Sequence, residues 1–336
     1  MGGSYGGSFN ETTGTSGVIG TATTNLSGTL TWSIVAGGDA DISINSSTGA
    51  VSSARAIYSG DSAAFTVQVT NGTLTIGFPF TATGTVVSYE TESTALFARF
   101  TTDPGATRKN HINTLINALK TAGVWTKLDV LYVLAAHDSQ AALLNWVSSS
   151  YNLTLTNTPT FTTDQGYTGN GTNAALGSTF NPGSSAGRLY SRYSGHLGVY
   201  CRSTAFTTGY EIGVSASVNF LLSAGRSDFS NAMRGGVNDA WSNSTSSPAN
   251  TKGHSCISRV SDTGVTYYKD GSVLSTVAIV TNGVPSASGT FTILRAATFY
   301  SPKQVSIAHM GGGLSDAEAA AMSAAFSTYL TAVGAI

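Results

Sequence analysis

Charge is scarce in this sequence. Lysine and arginine together number 16, aspartate and glutamate number 17, and only 10% of the 336 residues are charged. Ordinary soluble domains carry about 25%. The formal net charge is −1 and no run of basic residues occurs, so the positive surface that nucleic-acid-binding proteins need is missing. We therefore predict no nucleic-acid partner.

Long apolar runs and cysteines are also scarce. No stretch approaches the roughly 18 apolar residues that a membrane-spanning helix requires. The first residues, MGGSYGGSFN, have neither the basic nor the apolar region of a secretory signal, which predicts folding in a cytoplasm. Cys201 and Cys256 are the two cysteines, and they have no metal-ligand spacing. In a reducing compartment they are expected to be buried thiols. We predict no metal and no cofactor.

What the sequence does have is glycine, small hydroxyl residues and short alternating segments. A hydrophobic content of 41% is enough for a packed core. Residues 65–70 alternate and are followed by Asn71-Gly72, while residues 265–269 alternate and are followed by Asp270-Gly271. Such pairs favour type I′ hairpin turns, in which both central residues have positive φ. The pattern predicts a mostly β protein.

One long apolar run and three helical segments interrupt this pattern. Residues 128–136 predict a strand that is buried on both faces, the first inner strand of a larger domain. A helix is predicted at 104–122, where Asp103 caps and Pro104 starts it. A second is predicted at 139–146 after Asp138, and a third at 315–333, where Ser315 and Glu318 form a capping box.

These segments predict three parts along the chain. Residues 1–87 are expected to form a small β-sandwich, and residues 88–94 (SYETEST) are polar enough to form a linker. Residues 95–336 are expected to form a larger sandwich with a helical entry segment and a C-terminal helix.

The first part resembles a known class of module. The order LTWSIVAGGDADISINSSTGAVS, then FTVQVTNG, is similar to cadherin-like and related bacterial immunoglobulin-like repeats over residues 9–87. The resemblance implies an immunoglobulin-like sandwich. Calcium sites of that family need clustered carboxylates, whereas Asp39, Asp41 and Asp61 are the only ones between Glu11 and Glu90. No calcium is therefore expected.

The second part resembles two further families. VTYYKDGSVLST, the segment 304–309 and GGGLSDAEAAAMSAAFSTYL resemble the concanavalin-A-like (laminin-G-like) jelly-roll sandwich. Residues 99–146 look like a module of structural proteins from tailed bacteriophages. The resemblance implies a virion protein made in the host cytoplasm, in the head decoration, neck or tail fibre. Its implied partners are other virion proteins and further copies of itself.

Candidate catalytic groups do not form a set. His137-Asp138 is better explained by a strand end and a helix cap. None of the five glutamates belongs to the paired-carboxylate pattern of a glycosidase, and of these only Glu211 lies on a predicted sandwich strand. The histidines at 196, 254 and 309 are dispersed. We predict that the protein is not an enzyme, and a polysaccharide-degrading enzyme is the weakest alternative.

Binding has more support in the sequence. Trp241 lies in the polar segment NDAWSNSTSSPAN beside Asn238, Asp239 and Asn243. An aromatic ring beside amides and a carboxylate can stack on a sugar and bind its hydroxyls. Tyr190 and Tyr193 form a second aromatic group. Two alternatives stay open. For Trp241, the alternative is that the ring folds back onto the sandwich as a loop plug. For the protein, the alternative to a structural virion component is a carbohydrate-binding adhesin or receptor-binding protein.

Overall fold

A computed structural model describes residues 17–37, 42–53, 62–83, 89–214, 217–238, 242–279 and 289–336. Contacts divide the chain into two compact units. The N-terminal unit comprises residues 1–89 with 104–110, and the C-terminal unit comprises residues 90–103 with 111–336. The first helix, α1, spans Thr91–Phe97, so residues 91–94 of the predicted linker are helical.

The N-terminal unit is a small β-sandwich. Its strands are β1 (Gly17–Thr21), β2 (Thr31–Gly37), β3 (Ile42–Ile44), β4 (Ala50–Ser53), β5 (Ser62–Thr70) and β6 (Thr75–Thr83). They form two antiparallel sheets in the orders β1-β4-β3 and β2-β5-β6. A shared core joins the sheets, and its buried members are Trp32, Val51, Phe65, Val67, Val69 and Phe78.

The hairpin between β5 and β6 is confirmed, but its turn differs from the prediction. Thr70 pairs with Thr75, so the loop has four residues. Gly72 has a φ of 86°, whereas Asn71 is not among the residues with positive φ. The Asn71 side chain explains this, because its Oδ1 accepts the N–H groups of Thr73 and Leu74 at 3.1 and 2.8 Å. That side-chain turn holds the loop wider than a type I′ turn.

The C-terminal unit is a larger sandwich of two antiparallel sheets. The strands are β7 (Leu128–Val133), β8 (Thr154–Thr156), β9 (Thr160–Thr162), β10 (Gly166–Thr168), β11 (Ala175–Gly177), β12 (Gly195–Cys201), β13 (Ile212–Val214), β14 (Ser217–Ser223), β15 (Arg234–Val237), β16 (Ser242–Asn243), β17 (Gly253–Arg259), β18 (Gly264–Lys269), β19 (Ser272–Ala278), β20 (Phe291–Ile293), the hairpin β21 (Arg295–Ala296) and β22 (Phe299–Tyr300), and β23 (Gln304–Gly311). The eight-stranded sheet follows the order β19-β18-β17-β12-β23-β10-β9, and β7 also pairs with β23. The seven-stranded sheet follows the order β16-β15-β14-β13-β20-β11-β8. The mostly β fold class is therefore confirmed.

Two cores cover the two faces of the eight-stranded sheet. An inter-sheet core includes Val199, Ile257 and Phe291 and lies against the seven-stranded sheet. A helix-side core lies on the other face, under α2 (Gly105–Thr121) and α3 (Asp316–Ala332). Strand β7 contributes to both cores, which confirms that it is buried on both faces. Among the described strands it pairs only with β23, so it is not an inner strand.

The predicted helix at 139–146 is wrong. Asp138 Oδ1 does accept the Ala141 N–H at 2.7 Å, but only one 3₁₀ turn follows, at Ala141–Leu143. Asn145 then ends the turn, because its Oδ1 accepts the N–H of Leu131 on β7 at 3.2 Å. Trp146 N–H also donates to the Leu131 carbonyl at 2.9 Å. Pairing with β7 replaces the helical hydrogen bonds.

The other two predicted helices are confirmed. The helix-side core contains Ile112, Leu115, Ile116 and Leu119 of α2 and Met322, Phe326, Tyr329 and Leu330 of α3. Ser315 and Glu318 form the predicted capping box. Glu318 also forms an ion pair with Lys127 at 2.7 Å, which attaches the start of α3 to the turn before β7. Within the described residues, no helix is long and apolar enough to cross a membrane.

The two cysteines are buried and unpaired. Cys201 belongs to the inter-sheet core and Cys256 to the helix-side core. They therefore lie on opposite faces of the eight-stranded sheet, where a disulfide could not join them without rearranging the strands.

Candidate functional site

A polar groove opens between α3 and the hairpin of β18 and β19. Its volume is about 590 Å³, within the range of small-ligand sites. We call it the helix-side groove. It is lined by Tyr200, Asn250, Lys252, Gly253, Asp270, Gly271, Ser272, Ala320, Ser323, Ala324 and Ser327.

A type I′ turn forms one wall of the groove, as the sequence predicted. Asp270 has a φ of 51° and Gly271 a φ of 81°, and Lys269 pairs directly with Ser272. The turn presses against α3, because a Cβ at Gly271 would lie 3.0 Å from the Ala320 Cα. A side chain at position 271 would therefore push the helix away.

Asp270 is the carboxylate of the groove, and its position is fixed by backbone contacts. Its Oδ1 accepts the His254 N–H at 2.8 Å, while its own N–H donates to the His254 carbonyl at 2.8 Å. The side chain is 58% exposed. Gly253 makes this geometry possible, since a Cβ there would lie 2.2 Å from Asp270 Oδ1.

Tyr200 and Lys269 complete the charge pattern around Asp270. Tyr200 is buried beneath the groove, and burial raises its pKa, with the negative charge of Asp270 adding to the shift. Its hydroxyl therefore stays neutral. Lys269 Nζ donates to the Lys252 carbonyl and lies 3.4 Å from Asp270. Burial lowers the pKa of Lys269, an effect that Asp270 opposes.

The groove thus combines the groups that bind a polyhydroxylated ligand. Asp270 is a fixed acceptor, and Asn250, Ser272, Ser323 and Ser327 offer amide and hydroxyl groups. The glycines and alanines of the lining add no bulky side chain to the walls. Exposed acceptors and donors of this kind suit the binding of a polar ligand.

Two of the predicted sugar-binding residues, Trp241 and Asp239, lie outside the described residues. Three others occupy one end of the sandwich. Asn238 is buried, and its Nδ2 donates to the carbonyls of Ser191 and Arg192 at 2.8 and 2.9 Å. It supports the neighbouring loop and does not point to solvent.

The two predicted tyrosines differ in accessibility. Tyr190 is 2% exposed and packs on Phe220 at a ring-centroid distance of 4.4 Å, so it belongs to the core. Tyr193 is 37% exposed. The guanidinium groups of Arg192 and Arg259 lie 5.0 and 5.3 Å from its ring, so cation–π contacts already occupy part of this ring.

The sixth predicted residue, Asn243, lies in a cluster of arginines and aromatic rings. Its Oδ1 accepts from Arg234 Nη1 at 2.7 Å, and Arg234 stacks on Phe229 at 3.8 Å. Arg226 lies 4.5 Å from the ring of Tyr210. Asn243 is therefore separate from the end of the sandwich that holds Tyr193 and Asn238, so the four described residues do not meet at one site.

Glu211, the one glutamate predicted on a sandwich strand, is fully buried. It lies 3.0 Å from Lys303 Nζ, and it accepts the Ala224 N–H and the Ser301 hydroxyl at 2.7 and 2.9 Å. No side of the carboxylate faces solvent. His137 Nε2 lies 3.1 Å from the Thr102 carbonyl, which supports the structural explanation of that residue.

His196, His254 and His309 are dispersed in the sequence, but the structure brings them together. They form a buried row on the helix side of the sheet, which we call the histidine row. Ring centroids are 5.1 Å apart for His196 and His309 and 5.2 Å apart for His254 and His309. The Nε2 atoms of His254 and His309 lie 2.9 Å apart. Among the described residues, no group of three potential ligands is placed to hold a metal ion.

A glycine makes room for the row. A Cβ at Gly198 would lie 2.0 Å from His309 Nε2 and 3.1 Å from His254 Nε2. The ring of Phe326 on α3 covers both histidines at centroid distances of 5.4 Å. Nothing in the spacing of the three histidines signals this arrangement, because it depends on the register of β12, β17 and β23.

No family model matches the chain, and no curated protein matches it. Several solved structures are similar. Domain 4 of a Geobacillus stearothermophilus arabinanase, solved with arabinotriose, is 14% identical, with 59% of this chain and 98% of that chain covered and a TM-score of 0.43. The binding domain of botulinum neurotoxin DC, solved with rat synaptotagmin II, is 11% identical, with coverage of 58% and 51% and a TM-score of 0.40.

A Trypanosoma rangeli sialidase, solved as a covalent intermediate with difluorosialic acid, is 11% identical. It has coverage of 79% of this chain and 43% of that chain, and a TM-score of 0.36. At these identities and TM-scores no function transfers to this chain.

Proposed function

We propose that this protein is a non-enzymatic carbohydrate-binding protein of a tailed-phage particle, and that the helix-side groove holds the sugar. The observation that carries the proposal is the position of Asp270. Its carboxylate is held by the His254 backbone at 2.8 Å yet is 58% exposed. A preorganised acceptor beside amide and hydroxyl groups suits a pair of sugar hydroxyls.

The motifs that carry the concanavalin-A-like resemblance form the walls of this groove. The Lys269-Asp270-Gly271 turn supplies one wall, and the Leu-Ser-x-x-Glu helix α3 supplies the other through Ala320, Ser323 and Ala324. The phage assignment is supported by the resemblance of residues 99–146 alone. In this proposal further copies of the chain and other virion proteins are its partners.

Glycan-array binding followed by calorimetry tests the groove. Asp270→Asn keeps an oxygen for the His254 N–H but removes the charge, and it should weaken binding about tenfold or more, because hydrogen bonds to charged groups contribute about 1.5–3 kcal/mol. Asp262→Asn is the matched control, since Asp262 is exposed on a turn outside the groove. Equal losses in both variants would count against the groove.

A steric pair of variants makes the same test without a change of charge. Ala324 lines the groove and Thr328 is exposed on the same helix outside it. Ala324→Trp should abolish binding, and Thr328→Trp should leave it unchanged. Binding that survives Ala324→Trp but is lost in Trp241→Ala would move the site to the segment around residue 241.

Mass spectrometry of purified phage particles tests the virion assignment. The protein should be present in stoichiometric amounts, and gold-labelled antibody should locate it on the head, neck or tail. Its absence from particles that are otherwise complete would refute the assignment and leave the adhesin alternative.

A further inference from the structure

We propose that the histidine row is an acid-sensitive latch that holds α3 on the sheet, and that proton uptake there releases the helix and opens the helix-side groove. The helix and the row are in direct contact through Phe326, which packs on His254 and His309. Ser323 and Ser327 of the groove flank Phe326 on the same helix. Only the statement that the groove holds a sugar depends on the proposed function.

The row is built for neutral imidazoles. All three histidines are at most 1% exposed. One ring of the His254–His309 pair donates and the other accepts across 2.9 Å. The pair can keep this bond with one added proton, but a second proton would place two donors and two buried positive charges against each other.

The charged groups that face the row do not offset added protons. The positive charge of Lys127, before β7, lowers the pKa of His196, and that of Lys269, on β18, lowers the pKa of His254. Glu318 of α3 acts on His196 and is already paired with Lys127 at 2.7 Å. Asp270 accepts the backbone N–H of His254 at 2.8 Å and lies 3.4 Å from Lys269. Tyr200, Tyr268 and Cys256 of this core are neutral, because burial raises their pKa values.

The direction of the pH effect follows from these contacts. Burial lowers the pKa of His196 to about 4 and that of His254 to about 3, and it also lowers the pKa of His309, with His196 and His254 adding to the shift. Histidines released from the core would titrate near 6.5. The closed state therefore binds fewer protons than the open state, so closure is favoured above about pH 6.5 and weakens as pH falls toward 4.

Linkage gives the size of the effect. Each histidine that takes up a proton on opening raises the opening equilibrium constant by up to about tenfold per pH unit in this window. Three histidines together give up to about a thousandfold per pH unit. A single titrating histidine elsewhere in the chain would give at most about tenfold.

The two cysteines provide an internal probe and its control. Cys256 lies under α3 in the helix-side core, whereas Cys201 lies in the inter-sheet core on the other face. Cys201→Ala leaves only the Cys256 thiol, and Cys256→Ala leaves only the Cys201 thiol. Labelling with 4,4′-dithiodipyridine, which reacts with thiols in acid, reports the exposure of each when its rate is normalised to free glutathione.

We expect Cys256 to become reactive between about pH 6 and 4 with a dependence steeper than tenfold per pH unit, while Cys201 stays protected. His309→Gln and His254→Gln should flatten this dependence, and His137→Gln, which lies outside the row, should not. If both thiols became reactive at the same pH, the protein would be unfolding globally, and the latch would be overturned. Protection of Cys256 down to pH 4 would also overturn it. The labelling experiment uses no ligand, so its result can be interpreted even if the protein binds no sugar.

Discussion

Lys303 Nζ lies 3.0 Å from Glu211 Oε1, and neither side chain is more than 1% exposed. An ion pair taken this far from water is costly to form, and it is tolerated because the Glu211 oxygens also accept from Ser301 and the Ala224 N–H. Removing one partner leaves the other charged and alone in the core.

We therefore expect Glu211→Gln and Lys303→Met each to lower the free energy of unfolding by about 3–5 kcal/mol, and the double variant to lose less than the sum. Urea denaturation monitored by tryptophan fluorescence measures this. Glu92→Gln, which breaks a surface pair with Lys120, is the control and should change little. Additive losses would show that the two charges are independent.

The same residue tests whether the protein is a hydrolase. A buried, fully bonded carboxylate cannot reach a glycosidic bond, so we expect purified protein to release no sugar from host cell-surface polysaccharide. Release that disappears in Glu211→Gln, in protein that is still folded, would overturn the proposal of a non-enzymatic protein.

Helix α3 should be integral to the C-terminal unit. Its four large buried side chains each contribute roughly 1.5–3 kcal/mol, a total comparable to the whole net stability of a domain, about 5–15 kcal/mol. We expect deletion of residues 314–336 to give insoluble protein. A truncated protein that is soluble and melts cooperatively would show that the helix is dispensable.

The start of the C-terminal unit can be located by truncation. Lys120 Nζ contacts Glu90 at 2.6 Å, and Asn113 Oδ1 accepts the Glu90 N–H at 2.7 Å. Both contacts are lost when the chain starts at residue 92. We therefore expect residues 89–336 to melt at a higher temperature than residues 92–336 in differential scanning calorimetry. Equal melting temperatures would show that these contacts do not contribute.

Chelation and reduction should have no effect on stability. The cysteines lie on opposite faces of one sheet, and the carboxylates of the sequence do not cluster in the calcium pattern. We expect the same melting temperature with and without EDTA, and with and without reductant. A decrease of several degrees in EDTA would reveal a bound metal.

Features specified by neighbouring residues could be predicted from the sequence. The capping box at Ser315 and Glu318 and the turn at Asp270-Gly271 depend on a few adjacent residues, and both are confirmed. Asn71-Gly72 has the same two-residue signal, yet its turn is wider because Asn71 bonds locally to the backbone. The helix at 139–146 was wrong because Asn145 bonds to a strand that sequence patterns do not identify as its partner.

The candidate site could not be predicted, because its parts meet only in the folded sheet. Tyr200, Asp270 and Ser323 come from β12, a hairpin turn and the last helix. The histidine row likewise requires one register across three strands. The predicted sugar-binding segment around Trp241 stays a prediction, because Trp241 and Asp239 lie outside the described residues.

Because Gly198 has no side chain, it restricts which substitutions the protein can accept during evolution. A Cβ there would lie 2.0 Å from the His309 ring, so the two positions share one volume. Homologous chains that carry alanine or a larger residue at 198 should carry a smaller residue at 309. A larger residue at 198 alone should be rare among homologous chains, and its combination with a smaller residue at 309 should be the usual one.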